Sequence, residues 1–382
     1  MKCSGLDALS GSGIEISFER TILSVEPSAP AGEQTQYLAP GWIDLQVNGF
    51  AGVDYNNPAT SHEEIARSIQ ALFSTGVTRF YPTVITGAPD DMQGALRNLA
   101  RAQQKLSEGA AIAGFHVEGP HISPEDGPRG AHPLRWVRPP DLEEFRRMQD
   151  AALGLIRLVT LSPEWPQAPR YIETLRAEGV VVSIGHMSAS ASQIADAVQA
   201  GATLSTHLGN GAHSLLPRHP NYIWEQLAED RLAAGFIVDG IHLPASFLKV
   251  ALRAKGVERS LLVTDAVTAA GCRPGRYRLG EQEVELTPDN RVVLAGQTRL
   301  AGSALRMDRG VENLVRLAGL KLAQAVAMAT TNPARVGHFP ARQKGLLPGE
   351  RADLVQFRFD PPGNKIDIEK TYLDGELVWS AN

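Results

Sequence analysis

Eight short apolar runs alternate with segments of helical spacing between Trp42 and Asp265, and no other feature restricts the fold so tightly. The runs are Trp42 to Val47, Thr78 to Val84, Ala111 to Val117, Leu155 to Leu161, Val181 to Ile184, Ala202 to Thr206, Ala234 to Val238 and Ser260 to Thr264. Helical segments lie between most of them. One opens with a capping box, Ser61 to Glu64, and closes near Gly76; others cover Asp90 to Leu106, Asp141 to Ala151, Pro169 to Glu178, Ser190 to Ala200 and Ala245 to Lys255. Parallel neighbours need a crossover between them, and a helix is the usual one. Eight such units over about 225 residues suit a (β/α)8 TIM barrel, whose usual size is about 250 residues. A doubly wound open sheet is the other arrangement that this alternation allows.

The stretch from Val181 to Asn210 carries the first chemical signal. Its two strands end in His186 and His207, so a parallel βαβ unit brings both imidazoles to the C-terminal edge of the sheet. A single histidine there more often caps a strand and bonds a carbonyl. Two on adjacent strands suggest a metal site that lacks an acidic third ligand. Barrel chemistry sits at the C-terminal strand ends. Those positions here hold Gln46, Asn48, Glu118, His186, His207, His242 and Asp265. Glu118, His186 and His207 make a His2Glu set suited to a catalytic zinc with water in the fourth position. Asp265 is then placed to take a proton from that water and pass it to a leaving group. Taken alone, Glu118 or Asp265 has a lesser alternative as a buried carboxylate that holds a loop or caps a helix.

The rest of the chain narrows the class. A formal net charge of −5 argues against a nucleic-acid surface. No apolar run approaches the roughly 18 residues of a membrane helix, and the start lacks the apolar core of a signal peptide. Cys3 and Cys272 stand far apart, which indicates neither a disulfide framework nor a cysteine metal knuckle. The expected compartment is the cytoplasm. Residues 13–39 read as β structure with a loop from Ser28 to Gln36, and Arg276 to Leu294 as a hairpin inserted after the eighth strand. Two closing helices reach about Thr330. The tail returns to β structure over Asp353 to Phe359 and Lys370 to Trp379, with Asp374-Gly375 as a turn. Residues 1–39 and 336–382 are therefore expected to form a small β-sandwich-like domain, and residues 40–335 the barrel.

An ordered set of motifs resembles the N-acetylglucosamine-6-phosphate deacetylases of the amidohydrolase superfamily. It comprises Pro-Gly-Trp-Ile-Asp-Leu-Gln-Val-Asn-Gly (40–49), His-Val-Glu-Gly-Pro-His (116–121), Gly-His (185–186), Thr-His-Leu-Gly-Asn-Gly (206–211), Asp-Gly-Ile-His (239–242), Val-Thr-Asp-Ala (263–266) and Leu-Ala-Gly-Ser-Ala-Leu (300–305). Asn-Pro-Ala (332–334) and Gly-Glu-Arg-Ala-Asp-Leu-Val (349–355) extend it along nearly the whole chain.

The resemblance implies zinc-dependent hydrolysis of the acetamide of N-acetyl-D-glucosamine 6-phosphate, with one divalent metal per subunit. Glu118, His186 and His207 match the metal ligands, Asp265 the general acid/base, and His132 a histidine that contacts the substrate carbonyl. Asn210 and Gly211 match residues that touch the sugar phosphate, and His242 a further phosphate or sugar contact. Arg218 matches an arginine supplied to the phosphate across a homodimer interface. Leu300, Ala301, Gly302 and Ser303 resemble a loop lining the acetyl pocket.

Two departures qualify the match. Gln46 and Asn48 stand where many amidohydrolases carry His-X-His and a second metal, and neutral amides are poor zinc ligands. The segment from Arg218 to Trp224 differs from the family's phosphate loop, and Tyr222 and Trp224 suit core or interface packing. His121, His213 and His219 are expected to be loop residues. The rival functions are hydrolysis of an unphosphorylated N-acetyl sugar, another N-acetylhexosamine phosphate or an N-acyl amino acid, and a non-catalytic sugar-phosphate sensor.

Overall fold

The computed structural model describes residues 1–28 and 36–381; most of the loop expected from Ser28 to Gln36 lies outside them. Eight parallel strands pair in chain order: β1 Trp42–Val47, β2 Val77–Ile85, β3 Phe115–Glu118, β4 Ile156–Leu161, β5 Val181–Ile184, β6 Leu204–Ser205, β7 Ala233–Ile237 and β8 Ser260–Val263. The chain closes this sheet on itself where β8 meets β1. The Asp265 amide donates to the Gln46 carbonyl at 3.0 Å, and the Asn48 amide to the Ala266 carbonyl at 2.7 Å. An open sheet would leave those edges unpaired. The fold is a (β/α)8 barrel.

Seven helices wrap the strands: α1 His62–Phe73, α2 Pro89–Lys105, α3 Leu142–Ala151, α4 Ala168–Ala177, α5 Ala191–Ala200, α6 Tyr222–Ala228 and α7 Ala245–Lys255. Their starts follow from side-chain chemistry. The Ser61 hydroxyl accepts from the Glu64 amide at 3.2 Å while the Glu64 carboxylate accepts from the Ser61 amide at 3.0 Å. Ser190 and Gln193 repeat the arrangement at α5, and the Asp141 carboxylate caps α3. Each satisfies amides that a helix N-terminus otherwise leaves without partners. Met307–Asn313, Leu322–Ala329 and Thr331–Val336 supply the closing helices.

The structure adds to the sequence reading and corrects it in places. The third strand begins only at Phe115, because Ser107–Ala111 forms a 3-10 turn. Helix α6 was not anticipated. The insertion is a three-stranded antiparallel sheet, Gly275–Leu279, Gln282–Leu286 and Val292–Leu294, rather than a hairpin.

Both chain ends meet in one seven-stranded sheet, ordered Glu376–Ser380, Lys365–Leu373, Leu354–Asp360, Gln36–Pro40, Lys2–Asp7, Gly13–Phe18 and Ile22–Pro27. Lys2–Asp7 extends it beyond the expected residues 13–39. The turn at Asp374-Gly375 has φ of 48° and 82°, the left-handed pair that a tight hairpin requires. This sheet packs on the barrel's N-terminal side, where Arg79 of β2 reaches Asp353 at 2.8 Å and the Thr371 hydroxyl donates to the Phe73 carbonyl. We propose residues 1–39 and 336–382 as the limits of this unit. No helix among the described residues is long and apolar enough to cross a membrane.

Candidate active site

Glu118 is the last residue of β3, and His186, His207 and Asp265 follow just beyond the ends of β5, β6 and β8. The last three have φ of 49°, 28° and 50°. Residues with a Cβ rarely adopt such values, and when they do the surrounding structure holds them there, most often at functional sites. Glycine meets the tightest approaches. A Cβ on Gly119 would lie 2.2 Å from the Thr86 hydroxyl oxygen, and one on Gly211 would lie 2.7 Å from His186 Nδ1.

Three donor atoms converge at the centre. His207 Nε2 lies 3.0 Å from both Glu118 Oε1 and His186 Nε2, and His186 Nε2 lies 3.2 Å from Glu118 Oε1. All three residues are buried. Ligands about 2.0–2.1 Å from a tetrahedral ion stand about 3.3 Å apart, so this triangle has nearly the right size for zinc. The tautomer agrees. His186 Nδ1 sits 2.8 Å from the Pro128 carbonyl, which makes it the donor and leaves the Nε2 lone pair facing the triangle. These residues could hold a metal ion.

The electrostatics follow from burial and from the neighbouring groups. Burial opposes ionisation of Glu118, yet the imidazoles of His186 and His207 beside it hold its carboxyl well below the usual range. Asp265 has less compensation. Burial, then the Glu118 charge, pushes it up to about 6. His132 is driven the other way, to about 3, by burial and the adjacent His186, so its ring is neutral at working pH.

Gln46 and Asn48 act as donors. Gln46 Nε2 lies 3.0 Å from Glu118 Oε1 and 3.1 Å from Asp265 Oδ1, and Asn48 Nδ2 lies 2.7 Å from Asp265 Oδ1. Amide hydrogens therefore face both carboxylates.

A cavity of about 560 Å³ opens above the triangle. His132, Asn210, Gly211, His242, Leu300, Ala301 and Gly302 line it together with the three converging residues and Asp265. Ser303 does not. Its hydroxyl donates to the Thr264 carbonyl and its amide to the Asp265 carbonyl, so it anchors the end of β8. Arg218 is exposed on the loop before α6 and lies outside the cavity of its own chain. His213 lines the cavity, held between the Tyr222 hydroxyl and Glu125, each at 3.0 Å. His121 is buried elsewhere, edge-on to Tyr171 and bonded to the Arg138 carbonyl. His219 is exposed.

The sequence reading did not single out three further residues. The Thr86 hydroxyl lies 2.9 Å from His132 Nδ1, and Asp239 Oδ2 lies 2.6 Å from His242 Nδ1. Arg299 also lines the cavity, paired with Asp126 at 2.7 Å. Asp239 was legible as the i−3 neighbour of a motif histidine. A lone threonine such as Thr86 carries no comparable signal.

The chain matches known proteins along most of its length. The Amidohydrolase family model covers residues 37–378. The N-acetylglucosamine-6-phosphate deacetylase of Bos taurus is 36% identical, over 90% of this chain and 84% of its own. The enzyme of the same name from Bacillus subtilis is 34% identical, over 88% and 85%. A mutant N-acetyl-D-glucosamine-6-phosphate deacetylase from Mycobacterium smegmatis, solved in complex with N-acetyl-D-glucosamine-6-phosphate, superposes with a TM-score of 0.88 at 30% identity. That superposition covers 99% of this chain and 98% of the other. Likeness of this extent takes in both the barrel and the terminal sheet, and the chain belongs to the N-acetylglucosamine-6-phosphate deacetylases of the amidohydrolase family.

Proposed function

We propose that the protein hydrolyses the acetamide of N-acetyl-D-glucosamine 6-phosphate to D-glucosamine 6-phosphate and acetate, using one Zn2+ per subunit held by Glu118, His186 and His207. The observation that carries this reading is the buried 3.0–3.2 Å triangle of donor atoms, with Asp265 beside it at the mouth of a cavity. A zinc ion there supplies Lewis acidity toward a carbonyl and lowers the pKa of a water. The amide hydrogens of Gln46 and Asn48 favour a single ion, since they occupy the second-metal side with donors.

Asp265, raised to about 6, is ionised at neutral pH yet basic enough to accept a proton. It takes that proton from the attacking water and returns it to the departing amine. The neutral His132 donates from Nε2 to the oxygen that becomes negative, provided that the Thr86 hydroxyl donates to Nδ1. Leu300, Ala301 and Gly302 wall the acetyl group. Asn210, Gly211 and His242 face the sugar and its phosphate, with Asp239 orienting the His242 ring. Arg218 serves the phosphate of the neighbouring subunit in a homodimer. Leu215 and Trp224, 88% and 47% exposed in the same stretch of chain, offer apolar surface for that contact. Free Cys3 and Cys272 suit a reducing compartment, and we assign the protein to the cytoplasm.

Hydrolysis of the unphosphorylated sugar is the second reading, because Arg218 lies outside the cavity of its own chain. Acetate release from the phosphorylated and the free N-acetylglucosamine, on metal-quantified protein, separates the two. Turnover of only the phosphorylated sugar with about one metal per chain supports the proposal. Equal turnover of the free sugar overturns the phosphate assignment, and metal-free, inactive protein overturns the enzyme reading.

A further inference from the structure

We propose a second anion site, for a diphosphate group, at the opposite end of the barrel from the catalytic cavity. A cavity of about 600 Å³ lies where the N-terminal strand ends meet the terminal sheet. Five arginines line it: Arg79 and Arg157 from the starts of β2 and β4, and Arg20, Arg342 and Arg351 from the terminal segments.

Two carboxylates bond these arginines directly, and the buried Glu350 adds a third negative charge near Arg342. Asp353 bonds Arg79 at 2.8 Å and Arg342 at 2.7 Å, while Asp374 bonds Arg79 at 2.8 Å and Arg351 at 2.6 Å. Three guanidinium groups thus share two carboxylates before Arg20 and Arg157 are considered. Both of those are exposed, and neither has an ion-pair partner among the described residues. Arg342 is 3% exposed, and its buried Nε has no hydrogen-bond partner among the described residues. Room is made for Arg157. A Cβ on Gly114 would come within 2.5 Å of Arg157 Cγ.

The buried pair Arg79 and Arg342 is balanced by Asp353 and Asp374, so the surplus charge lies at the mouth of the cavity on Arg20, Arg157 and the part-exposed Arg351, and planar forks recognise phosphate oxygens in pairs. The inner arginines are held rigidly by their carboxylates, so little further ordering is needed when an anion enters. The exposed outer pair closes on it. A compact diphosphate, either inorganic or carried on a nucleotide, matches both the charge and the space. Arg79 and Arg157 lie in the first residues of β2 and β4, whereas the catalytic residues lie at or beyond the strand ends, so occupancy here does not compete with substrate.

Calorimetric titration of the metal-loaded protein with inorganic pyrophosphate tests the site, with ADP titrated in parallel. Saturable binding that persists under excess D-glucosamine 6-phosphate is expected. The Arg20→Glu/Arg157→Glu variant should weaken it at least about tenfold without changing acetate-release kinetics. The milder Arg20→Gln/Arg157→Gln pair should give a smaller loss in the same direction. Tighter ADP binding identifies a nucleotide as the source, and equal binding identifies the diphosphate itself. Absence of binding, equal affinity in wild type and both variants, or displacement by the sugar phosphate overturns the proposal.

Discussion

Asn48 Nδ2 stands 2.7 Å from Asp265 Oδ1, so a neutral amide donates to the proposed proton carrier. That bond favours the charged form of a carboxyl which burial pushes up to about 6. Removing it with the near-isosteric Asn48→Leu forfeits about 1.5–3 kcal/mol, equivalent to roughly one to two pKa units. The sign follows from the role. A base works when deprotonated, so activity is present above its pKa and is lost as pH falls through it. The acid limb of kcat/KM should therefore move upward by about one to two units in Asn48→Leu. A cation in the site lowers the limb in both proteins, which makes their difference the informative quantity. A limb that stays in place removes Asp265 from the role of base.

Asp265→Asn keeps the shape and loses the proton chemistry. Turnover should fall by about 10²–10⁴-fold, with metal content and substrate binding retained. Metal analysis and calorimetry on the same sample check the second half. Rates like those of wild type would sink the mechanism.

His132 and Thr86 should behave as a pair of unequal weight. His132→Phe removes the proposed donor to the oxyanion, and kcat should drop about 10²–10³-fold with KM little changed. Thr86→Val leaves the imidazole but frees its tautomer, because the 2.9 Å contact to Nδ1 is lost. A loss of about tenfold in kcat is expected there, and none in the double variant beyond His132→Phe alone. Additive losses would show that Thr86 acts through something other than His132.

Most of the barrel was legible because its strands are buried apolar runs and its helices announce themselves. The Trp42–Val47 and Val181–Ile184 boundaries match the expectation, and the capping boxes at Ser61 and Ser190 mark two helix starts. Lys2–Asp7 was missed because Lys-Cys-Ser-Gly-Leu-Asp has no alternation; its partners Gly13–Phe18 and Gln36–Pro40 make it a strand. Helix α6 was missed for the opposite reason. Tyr222, Ile223 and Trp224 favour strands, and only the Asn221 side chain, accepting from the amides of Ile223 and Trp224, starts the turn. The converging histidines and carboxylates were legible through topology, since barrel strands deliver their last residues to one rim. Thr86 and Arg299 were not, because nothing in a single threonine or arginine says which loop it will meet.

Metal removal tests the triangle most directly. Glu118 Oε1 and the Nε2 atoms of His186 and His207 stand 3.0–3.2 Å apart, and protons compete with a cation for the same lone pairs. Metal affinity should therefore fall as pH is lowered, because each proton bound to a ligand competes with the ion. Dialysis against a chelator should abolish acetate release and lower the melting temperature, and added Zn2+ should restore both. His186→Ala should retain less than about a tenth of the wild-type metal, and Zn2+ should not rescue it. Gln46→His/Asn48→His asks the converse question. It replaces two donors to the carboxylates with imidazole ligands, so metal content should rise from one ion per chain toward two. A variant that still binds one would show that the cavity, and not the amides, limits the count.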